Sequence, residues 1–473
     1  MNGRKKISFG TAGWRGIISD DFTFDGVRLV SQAIADLLKE ESGEPSAVTG
    51  YDTRFLSEEF ARAASEVLAA NGVKVIYSRE DAPTPVISDY IIRKGLSGGI
   101  NITASHNPPE YSGIKFSPSW GGPALPETTD RIEESCLKLQ DNPEKIKRME
   151  FERALKEGLI ETADIYPEYE ESLRQKVDTG LISGISVAFD CMYGTARKYI
   201  PRILDGGKLK LINSRRDVLF GGHHPEPAAE FLGSLIREVS SGGFDIGVAV
   251  DGDADRFGII DSDGTFITPN QVLGLALYHL HRKGLRGAAV RSVMTSSFID
   301  GVAGLLGVEL IETPVGFKYI GDIFVKRDII VGGEESGGLT TGGHLPEKDG
   351  ILACLIMAEL RAYEKRPLLA LLDELQEKTG RYVTVRKNYK LSPEDMERVR
   401  ERMRKDLPED FGGVKVEEVI TTDGYKFMLS EKNSWIGFRF SGTEPVVRLY
   451  AESTSDEKVA GIIRSAEKIF SLS

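Results

Sequence analysis

One strand–helix–strand unit occurs three times along the 473-residue chain, and this repetition limits the possible folds more than any other feature. Each unit starts with a short β-branched run, continues through a helical pattern that ends near glycine, and returns to two further strands. The first strand of the first unit ends near Asp52, and the first strands of the second and third units lie at 185–189 and 288–293. Short strands that alternate with helices predict α/β sheets.

The third strand of each unit runs into a loop of unusual composition. The three loops are residues 103–108 (TASHNP), 251–256 (DGDADR) and 332–338 (GGEESGG), which follow predicted strands at 99–102, 245–250 and 328–331. Ligands of α/β sheets collect beyond the carboxyl ends of the strands. We therefore expect all three loops to bind ligand.

The carboxyl-terminal part of the chain differs in kind. A charged helical stretch at about 392–405 is followed by alternating strands, which indicates a smaller α+β domain. A chain of this length exceeds what one hydrophobic core can organise. We predict domains at residues 1–157, 158–254, 255–375 and 376–473, with linkers in the charged segment 141–157 and around Gly380.

The second loop predicts a metal site. Asp251, Asp253 and Asp255 stand at alternate positions, and two carboxylates roughly 4 Å apart repel by about 4 kcal/mol at an effective dielectric constant of about 20. A bound divalent cation removes that cost, and oxygen ligands without cysteine or histidine favour Mg²⁺ over Zn²⁺. The glycine and distant glutamate of an EF-hand are absent. A solvated turn is the alternative.

The first loop offers a hydroxyl nucleophile. Ser105 stands beside His106, a pair that suits a phosphoryl or acyl acceptor. Acyl transfer is disfavoured because the chain has no Gly-x-Ser-x-Gly elbow, and a serine in an ordinary Asn-Pro turn is the alternative. Taken with the aspartate loop, Ser105 favours metal-assisted phosphoryl transfer.

Two further segments have the composition of ligand-binding loops. Residues 439–445 combine a guanidinium, two hydroxyls and a glycine, as a phosphate cradle requires; the alternative is a surface hairpin. The carboxylates and hydroxyl of 332–338 suit sugar hydroxyls, whereas the alternative is a flexible turn. Residues 10–16 (GTAGWRG) match neither a dinucleotide fingerprint nor a P-loop, so no nucleotide is implied.

Composition excludes several classes of function. The net charge of −12 opposes general nucleic-acid binding and requires that any phosphate site be locally cationic. Three widely spaced cysteines fit a reducing cytoplasm, where we expect inert core thiols. No apolar run approaches the roughly 18 residues that span a bilayer. We expect a cytoplasmic protein with no membrane or nucleic-acid partner.

In this order the segments 10–16, 103–108, 251–256, 332–338 and 439–445 resemble the α-D-phosphohexomutase superfamily, which includes phosphoglucomutase and phosphomannomutase. The resemblance covers essentially the whole chain. It implies four domains around a central cleft: three topologically similar mixed α/β domains and a carboxyl-terminal α+β domain. It also implies reversible phosphoryl transfer between C1 and C6 of a hexose phosphate.

The resemblance implies a role for each matched residue. Ser105 becomes the phosphoserine and, with Asp251, Asp253 and Asp255, binds one Mg²⁺. Lys115 is the candidate general acid and base. The other implied catalytic residues are His106, Arg15 and Arg256, and the implied substrate-binding residues are Lys318, Glu334, Ser336, Arg439, Ser441, Gly442 and Thr443.

Other expectations follow from the same resemblance. Glucose 1-phosphate and glucose 6-phosphate are the expected substrates, a hexose 1,6-bisphosphate primes the serine, and the chain is a monomer or homodimer. A mannose or dual-specificity mutase, a magnesium-dependent sugar phosphatase and a non-catalytic sensor are the alternatives. Many bacterial relatives have histidine where this chain has Gly338, and the role of nearby His344 is left open.

Overall fold

The computed structural model describes residues 7–10, 13–204, 206–440 and 445–472. The described residues form two compact units. One comprises Met1–Pro269, Phe317–Asp328 and Ser336–Leu368, and the other comprises Asn270–Gly316, Ile329–Glu335 and Leu369–Ser473.

The first sheet has the strand order β1-β5-β4-β2-β3-β6. Its strands are β1 (Trp14–Ile17), β2 (Ser46–Tyr51), β3 (Lys74–Ser78), β4 (Gly98–Ile102), β5 (Tyr111–Pro118) and β6 (Ile160–Ala163). Strands β4, β2, β3 and β6 are parallel, whereas β5 runs antiparallel to both β4 and β1. Its helices are α1 (Phe24–Glu41), α2 (Ser57–Ala70), α3 (Thr84–Lys94), α4 (Pro126–Gln140) and α5 (Phe151–Lys156).

The second sheet has the order β11-β10-β9-β7-β8. Its strands are β7 (Ser186–Asp190), β8 (Lys208–Ile212), β9 (Ile246–Val250), β10 (Phe257–Asp261) and β11 (Phe266–Ile267). Strand β7 is parallel to β8 and β9, and β10 is antiparallel to β9. The helices of this region are α6 (Pro167–Lys176), α7 (Thr179–Ile182), α8 (Ile200–Ile203) and α9 (Gly233–Ser240).

The third repeat contains strands β12 (Ala288–Ser292), β13 (Leu310–Thr313), β14 (Ile329–Gly333) and β15 (Leu339–Thr341). Strand β12 is parallel to both β13 and β14. Its helices are α10 (Pro269–Arg282), α11 (Phe298–Leu306), α12 (Phe317–Lys326), α13 (Gly350–Glu364) and α14 (Leu368–Thr379). Each repeat therefore places its first strand between its third and its second, and the predicted ligand loop follows the third strand every time.

The last sheet is antiparallel, with the order β16-β21-β20-β19-β18-β17. Its strands are β16 (Val383–Lys390), β17 (Asp410–Phe411), β18 (Val414–Ile420), β19 (Tyr425–Leu429), β20 (Trp435–Phe440) and β21 (Val446–Ser453). Helices α15 (Pro393–Lys405) and α16 (Asp456–Phe470) accompany it. Three α/β repeats and a carboxyl-terminal α+β domain confirm the predicted fold class.

The segment 141–157 is not the linker that its charge predicts. It contains a 3₁₀ turn (Pro143–Lys145) and helix α5, whose Phe151 and Ala154 are buried in the first hydrophobic core. The Phe151 ring lies edge-on to Tyr77 at a centroid distance of 5.0 Å. The charged residues form the solvent face of a packed segment, so two apolar side chains outweigh the charged composition.

Two predictions about the rest of the chain can be compared with the structure. Cys136, Cys191 and Cys354 are buried and form no disulfide bond. Burial raises the pKa of each thiol, as expected for inert core thiols. Among the described helices, none combines the length and apolarity required to cross a bilayer.

Candidate active site

The serine loop begins where strand β4 ends. Ser105 is 1% exposed and has a backbone φ of +53°, a left-handed conformation that is costly for a residue with a side chain. The Thr103 hydroxyl accepts a hydrogen bond from the Ser105 amide at 2.9 Å and helps to hold this turn. The Ser105 side chain therefore extends from a buried turn in a strained conformation.

A buried arginine that the sequence motifs did not single out organises the same loop. Arg54 is fully buried, and its Nε lies 3.1 Å from Asp52 Oδ2. Its two Nη groups donate to four backbone carbonyl oxygens, those of Ser105, Asn107, Pro108 and Tyr111, at 2.7 to 3.0 Å. A guanidinium has five donors in a rigid plane, which suits it to several carbonyls at once. The feature of the sequence that could have identified Arg54 is its position in the loop directly after strand β2.

The aspartate loop begins at the end of β9 and contacts the serine loop directly. The Ser105 hydroxyl donates to Asp251 Oδ2 at 2.7 Å, while Asp251 Oδ1 accepts from the amides of Asp255 and Arg256. A Cβ atom at Gly252 would lie 2.9 Å from the carbonyl oxygen of Ser105, so only glycine allows the two loops to approach this closely. Loops 146 residues apart in sequence thus share one site.

The other two aspartates accept hydrogen bonds from the same lysine. Lys115 Nζ donates to Asp253 Oδ2 and to Asp255 Oδ2, both at 2.6 Å. Thr84, at the start of α3, donates its hydroxyl to Asp253 Oδ2 at 2.6 Å. The three aspartates and Lys115 are at most 7% exposed. Lys115 therefore offsets the negative charge of two buried carboxylates.

The aspartate trio fits a hard divalent cation. Each of Asp251, Asp253 and Asp255 offers an oxygen within 4.8 Å of the others. Within the described ranges, the buried Oδ1 atoms of Asp253 and Asp255 have no hydrogen-bond partner. An all-oxygen donor set with unsatisfied buried carboxylate oxygens suits such an ion.

The pKa shifts express the charge crowding in this cluster. Burial, together with repulsion from Asp255 and Asp253, raises the pKa of Asp251 well above its ordinary value. Burial would also raise the pKa of Asp255, but Lys115 and Lys348 hold it well below its ordinary value. Burial opposes the charge on Lys115, yet Asp253 and Asp255 together raise its pKa. Lys115 is thus ionised in this arrangement.

Three more predicted residues lie around the serine. His106 Nδ1 is 3.2 Å from Ser105 Oγ, and burial together with Arg256 and Arg15 lowers the pKa of His106 well below 6.5, so the imidazole is neutral. Arg15 Nη1 donates to Asn107 Oδ1 at 2.5 Å. Arg256 Nη1 lies 3.9 Å from Glu226 Oε1. The described part of the chain thus groups every predicted catalytic residue within one compact unit.

Lys348 also lies in this charged cluster, although the sequence motifs did not predict it. Its Nζ lies 3.3 Å from Asp255 Oδ2 and 2.9 Å from Glu347 Oε1. A Cβ atom at Gly338 would lie 2.4 Å from Lys348 Cδ. The Lys348 side chain therefore occupies the space that a larger residue at position 338 would need.

His344 has a structural role in this arrangement. Its Nε2 lies 2.7 Å from Asp349 Oδ2, which also accepts from the Tyr169 hydroxyl at 2.7 Å. Asp349 Oδ1 caps helix α13 through the Leu352 amide. The His344 side chain is fully buried. It supports the start of helix α13 through Asp349.

The remaining predicted substrate-binding residues are distributed between the two units. In the first unit Lys318 is partly buried, with Nζ 5.5 Å from the Tyr319 ring centroid, and Ser336 is partly exposed. In the second unit Glu334 Oε1 accepts from the Gly316 amide at 2.7 Å, and Arg439 Nε lies 3.0 Å from Asp423 Oδ2. The predicted residues Ser441, Gly442 and Thr443 lie outside the described residues.

Comparison with known proteins identifies the family. Four domain profiles of phosphoglucomutase/phosphomannomutase match in order: α/β/α domain I at residues 6–143, domain II at 167–264, domain III at 268–379 and the C-terminal domain at 382–468. A phosphoglucomutase of Komagataeibacter xylinus is 33% identical over 95% of this chain and 88% of its own length. The chain belongs to the phosphoglucomutase/phosphomannomutase family. It is accordingly a phosphohexomutase, an enzyme of the isomerase class.

Two other proteins similar to this phosphohexomutase match almost the whole chain. A Pyrococcus abyssi protein named probable phosphoglucosamine mutase is 32% identical over 98% of this chain and 97% of its own. A crystal structure of a Thermus thermophilus protein has a TM-score of 0.85 at 34% identity and covers 99% of both chains. The family and its fold are therefore shared over the full length.

We expect Arg54→Lys to disorder the serine loop of the phosphohexomutase. A lysine ammonium presents its donors from one point and leaves several of the four carbonyls unsatisfied, at about 1–3 kcal/mol each. Amide hydrogen exchange across residues 103–111 should accelerate, and kcat/KM should fall. Arg62→Lys is the control, since Arg62 is 46% exposed. Unchanged exchange in Arg54→Lys would contradict this role.

Proposed function

We propose that this phosphohexomutase interconverts hexose 1-phosphate and hexose 6-phosphate through a phosphoserine at Ser105 and a bisphosphorylated sugar, with glucose as the preferred hexose. The observation that carries the proposal is the 2.7 Å hydrogen bond from Ser105 Oγ to Asp251 Oδ2. It joins a buried hydroxyl to a carboxylate trio within a cluster of cationic side chains. Such a site favours phosphoryl transfer, which depends on alignment and charge neutralisation.

The aspartate trio is the proposed Mg²⁺ site. Asp251, Asp253 and Asp255, with an oxygen on Ser105, would hold the ion, because their oxygens lie close together and two of them have no hydrogen-bond partner among the described residues. When bound, Mg²⁺ supplies Lewis-acid polarisation and neutralises charge on the transferring phosphoryl group. The protein contributes the fixed positions of the ligands.

One half-reaction transfers a phosphoryl group from Ser105 to a sugar hydroxyl. The bond from phosphorus to Ser105 Oγ breaks, a bond from phosphorus to the sugar hydroxyl oxygen forms, and the hydroxyl proton leaves the sugar. Lys115 is the proposed proton carrier: its ionised ammonium gives a proton to the Ser105 oxygen as that bond breaks, and the resulting amine takes up the proton that leaves the sugar hydroxyl. The bisphosphate then turns end over end, and its other phosphoryl group returns to Ser105. A hexose 1,6-bisphosphate is thus the proposed priming activator.

Local positive charge supports binding of an anionic substrate to an acidic chain. The net charge is −12, yet Arg15, Lys115 and Arg256 surround the serine loop in one unit. Arg439 supplies a guanidinium in the other unit, where we assign it to the phosphate that is not reacting. Ser441, Gly442 and Thr443 complete that proposed cradle, and Lys318 is a further proposed substrate contact. Local charge, rather than the total, governs recruitment of a phosphate.

The sugar preference is a narrower proposal. Glu334 and Ser336 are assigned to the sugar hydroxyls, as in the phosphoglucomutase side of the family. Mannose differs from glucose only at the 2-position, which neither residue reads, so dual use is the first alternative. Several relatives are named probable phosphoglucosamine mutase, which makes glucosamine phosphate the second alternative. A cytoplasmic location and a monomeric or homodimeric state are part of the same proposal.

A phosphatase is the rival reaction. Two-metal phosphatases use several histidine ligands. Within the part of the chain that the structure describes, the single cluster able to hold a metal ion is the aspartate trio. This favours one ion and transfer to a sugar over hydrolysis.

Ser105→Ala should abolish mutase turnover while the fold is retained. The variant lacks the oxygen that accepts the phosphoryl group, so activity in a coupled assay should fall to background and circular dichroism should be unchanged. Ser112→Ala is a suitable control, because Ser112 is also buried but lies on β5. Full turnover by Ser105→Ala would disprove the covalent route, and release of free phosphate by the wild type at the mutase rate would favour the phosphatase.

Asp253→Asn should weaken metal binding. Replacing one carboxylate oxygen by an amide removes a charged ligand from the trio, and we expect the Kd for Mg²⁺, measured by calorimetry, to rise about tenfold or more. Asp263→Asn is the control, since Asp263 lies in the exposed turn after β10. Equal Kd values for Asp253→Asn and the wild type would remove the trio from the metal site.

Glucose 1-phosphate should give the highest kcat/KM among three candidate substrates. A coupled assay would compare glucose, mannose and glucosamine 1-phosphates, each with a trace of its matching bisphosphate. We expect glucose to exceed glucosamine by about tenfold or more, because the third-domain loop at 334–338 (EESGG) resembles the phosphoglucomutase side of the family rather than the glucosamine side. A glucosamine preference would contradict the assignment, whereas equal rates for glucose and mannose would favour a dual enzyme.

A further inference from the structure

The second compact unit contains a carboxylate that joins two parts of the proposed substrate site. We infer that Asp423 is a positioning residue that orients Arg439 and connects it, through the Val315–Gly316 segment, to Glu334. The inference rests on the proposed function, in which Arg439 binds the phosphate that is not reacting. Neither the sequence motifs nor the family resemblance singled out Asp423.

Asp423 contacts both segments through one oxygen. Its Oδ2 lies 3.0 Å from Arg439 Nε and accepts a hydrogen bond from the Val315 amide at 3.1 Å. The side chains of Asp423 and Arg439 are 27% and 17% exposed, respectively. Asp423 therefore holds a strand of the last sheet against the loop that precedes helix α12.

The same loop is held from its other side by the sugar-binding carboxylate. The Gly316 amide donates to Glu334 Oε1 at 2.7 Å, and Gly316 directly follows Val315. Asp423 and Glu334 thus fix two successive amides of one short segment. A displacement of Asp423 would be transmitted to Glu334 through a single peptide unit.

A glycine beside Asp423 sets its approach to the strand that carries Arg439. Gly424 has a φ of +82°, and a Cβ atom there would lie 2.1 Å from the carbonyl oxygen of Phe438. The next residue, Tyr425, is paired with Phe438 in the β19–β20 register. Only glycine permits this contact, which brings the Asp423 carboxylate beside the residue that follows Phe438.

The geometry of the guanidinium explains what this contact achieves. Asp423 and Arg439 form an ion pair in which Oδ2 lies 3.0 Å from Nε, although Nε–H makes no hydrogen bond among the described residues. Nη1 and Nη2 carry the four other N–H donors of the arginine, which can bind a phosphate in a bidentate manner. The ion pair restricts the rotation of a long side chain before substrate binds, which lowers the entropic cost of binding. A partly exposed ion pair contributes little to folding. Orientation of Arg439 is therefore the effect to measure.

A double-mutant cycle on kcat/KM tests the inference. Asp423→Ala should raise the KM for glucose 1-phosphate about tenfold, because a misplaced positioning group loses part of the binding energy. Asp423→Asn retains an oxygen that can accept from the Val315 amide, so its effect should fall mainly on KM, with kcat nearly unchanged. In an Arg439→Ala background, Asp423→Ala should add less than about twofold, since its effect passes through Arg439.

Two controls distinguish the orientation of Arg439 from a general loss of charge or of fold. Glu431→Gln removes an exposed carboxylate paired with Lys458 in the same sheet domain, and kcat/KM should be unchanged. Thermal unfolding of each variant identifies loss of fold. If Asp423→Ala lowers kcat/KM equally with and without Arg439, Asp423 does not act through Arg439 and the inference is wrong. Wild-type kcat/KM in Arg439→Ala would instead overturn the proposed phosphate site, and the inference with it.

Discussion

Three buried carboxylates in one short loop set the central constraint on this structure. Asp251 shares its two oxygens between the Ser105 hydroxyl and the amides of its own loop, while Asp253 and Asp255 share the ammonium of Lys115. Without such partners, like charges at these separations would repel by several kcal/mol, about 4 for each close pair. The cluster is therefore formed only when two domains supply opposite charge and hydrogen bonds together.

The repeated fold supplies those partners. Each α/β repeat places its first strand between the third and the second, so the ligand loop leaves from equivalent positions in the sheet. The first repeat contributes the serine loop, Lys115 on β5 and Thr84 at the start of α3, and the second contributes the carboxylates. One scaffold, present three times, thus carries different chemistry in each copy through its loops.

Local patterns allowed much of this arrangement to be predicted. The repeats and the loops that follow their third strands were predicted from strand periodicity, and the metal site was predicted from the repulsion of like charges. The family resemblance implied that Ser105 and the aspartates share one site. Arg54 and Asp423 were missed because their roles depend on distant backbone groups, the carbonyls of 105–111 and the Val315 amide. The linker prediction for 141–157 failed because buried Phe151 and Ala154 outweigh its charge.

The central claim is that the hydroxyl of Ser105 receives a phosphoryl group during turnover. The direct measurement is peptide mass spectrometry after the wild-type enzyme has been incubated with glucose 1,6-bisphosphate and quenched. We predict a single phosphoryl group on the peptide containing Ser105, and we predict that this group is retained during turnover of excess glucose 1-phosphate, because each turnover returns a phosphoryl group to the serine. Active enzyme that carries no phosphoryl group on Ser105, or that carries one on another residue, would contradict the claim.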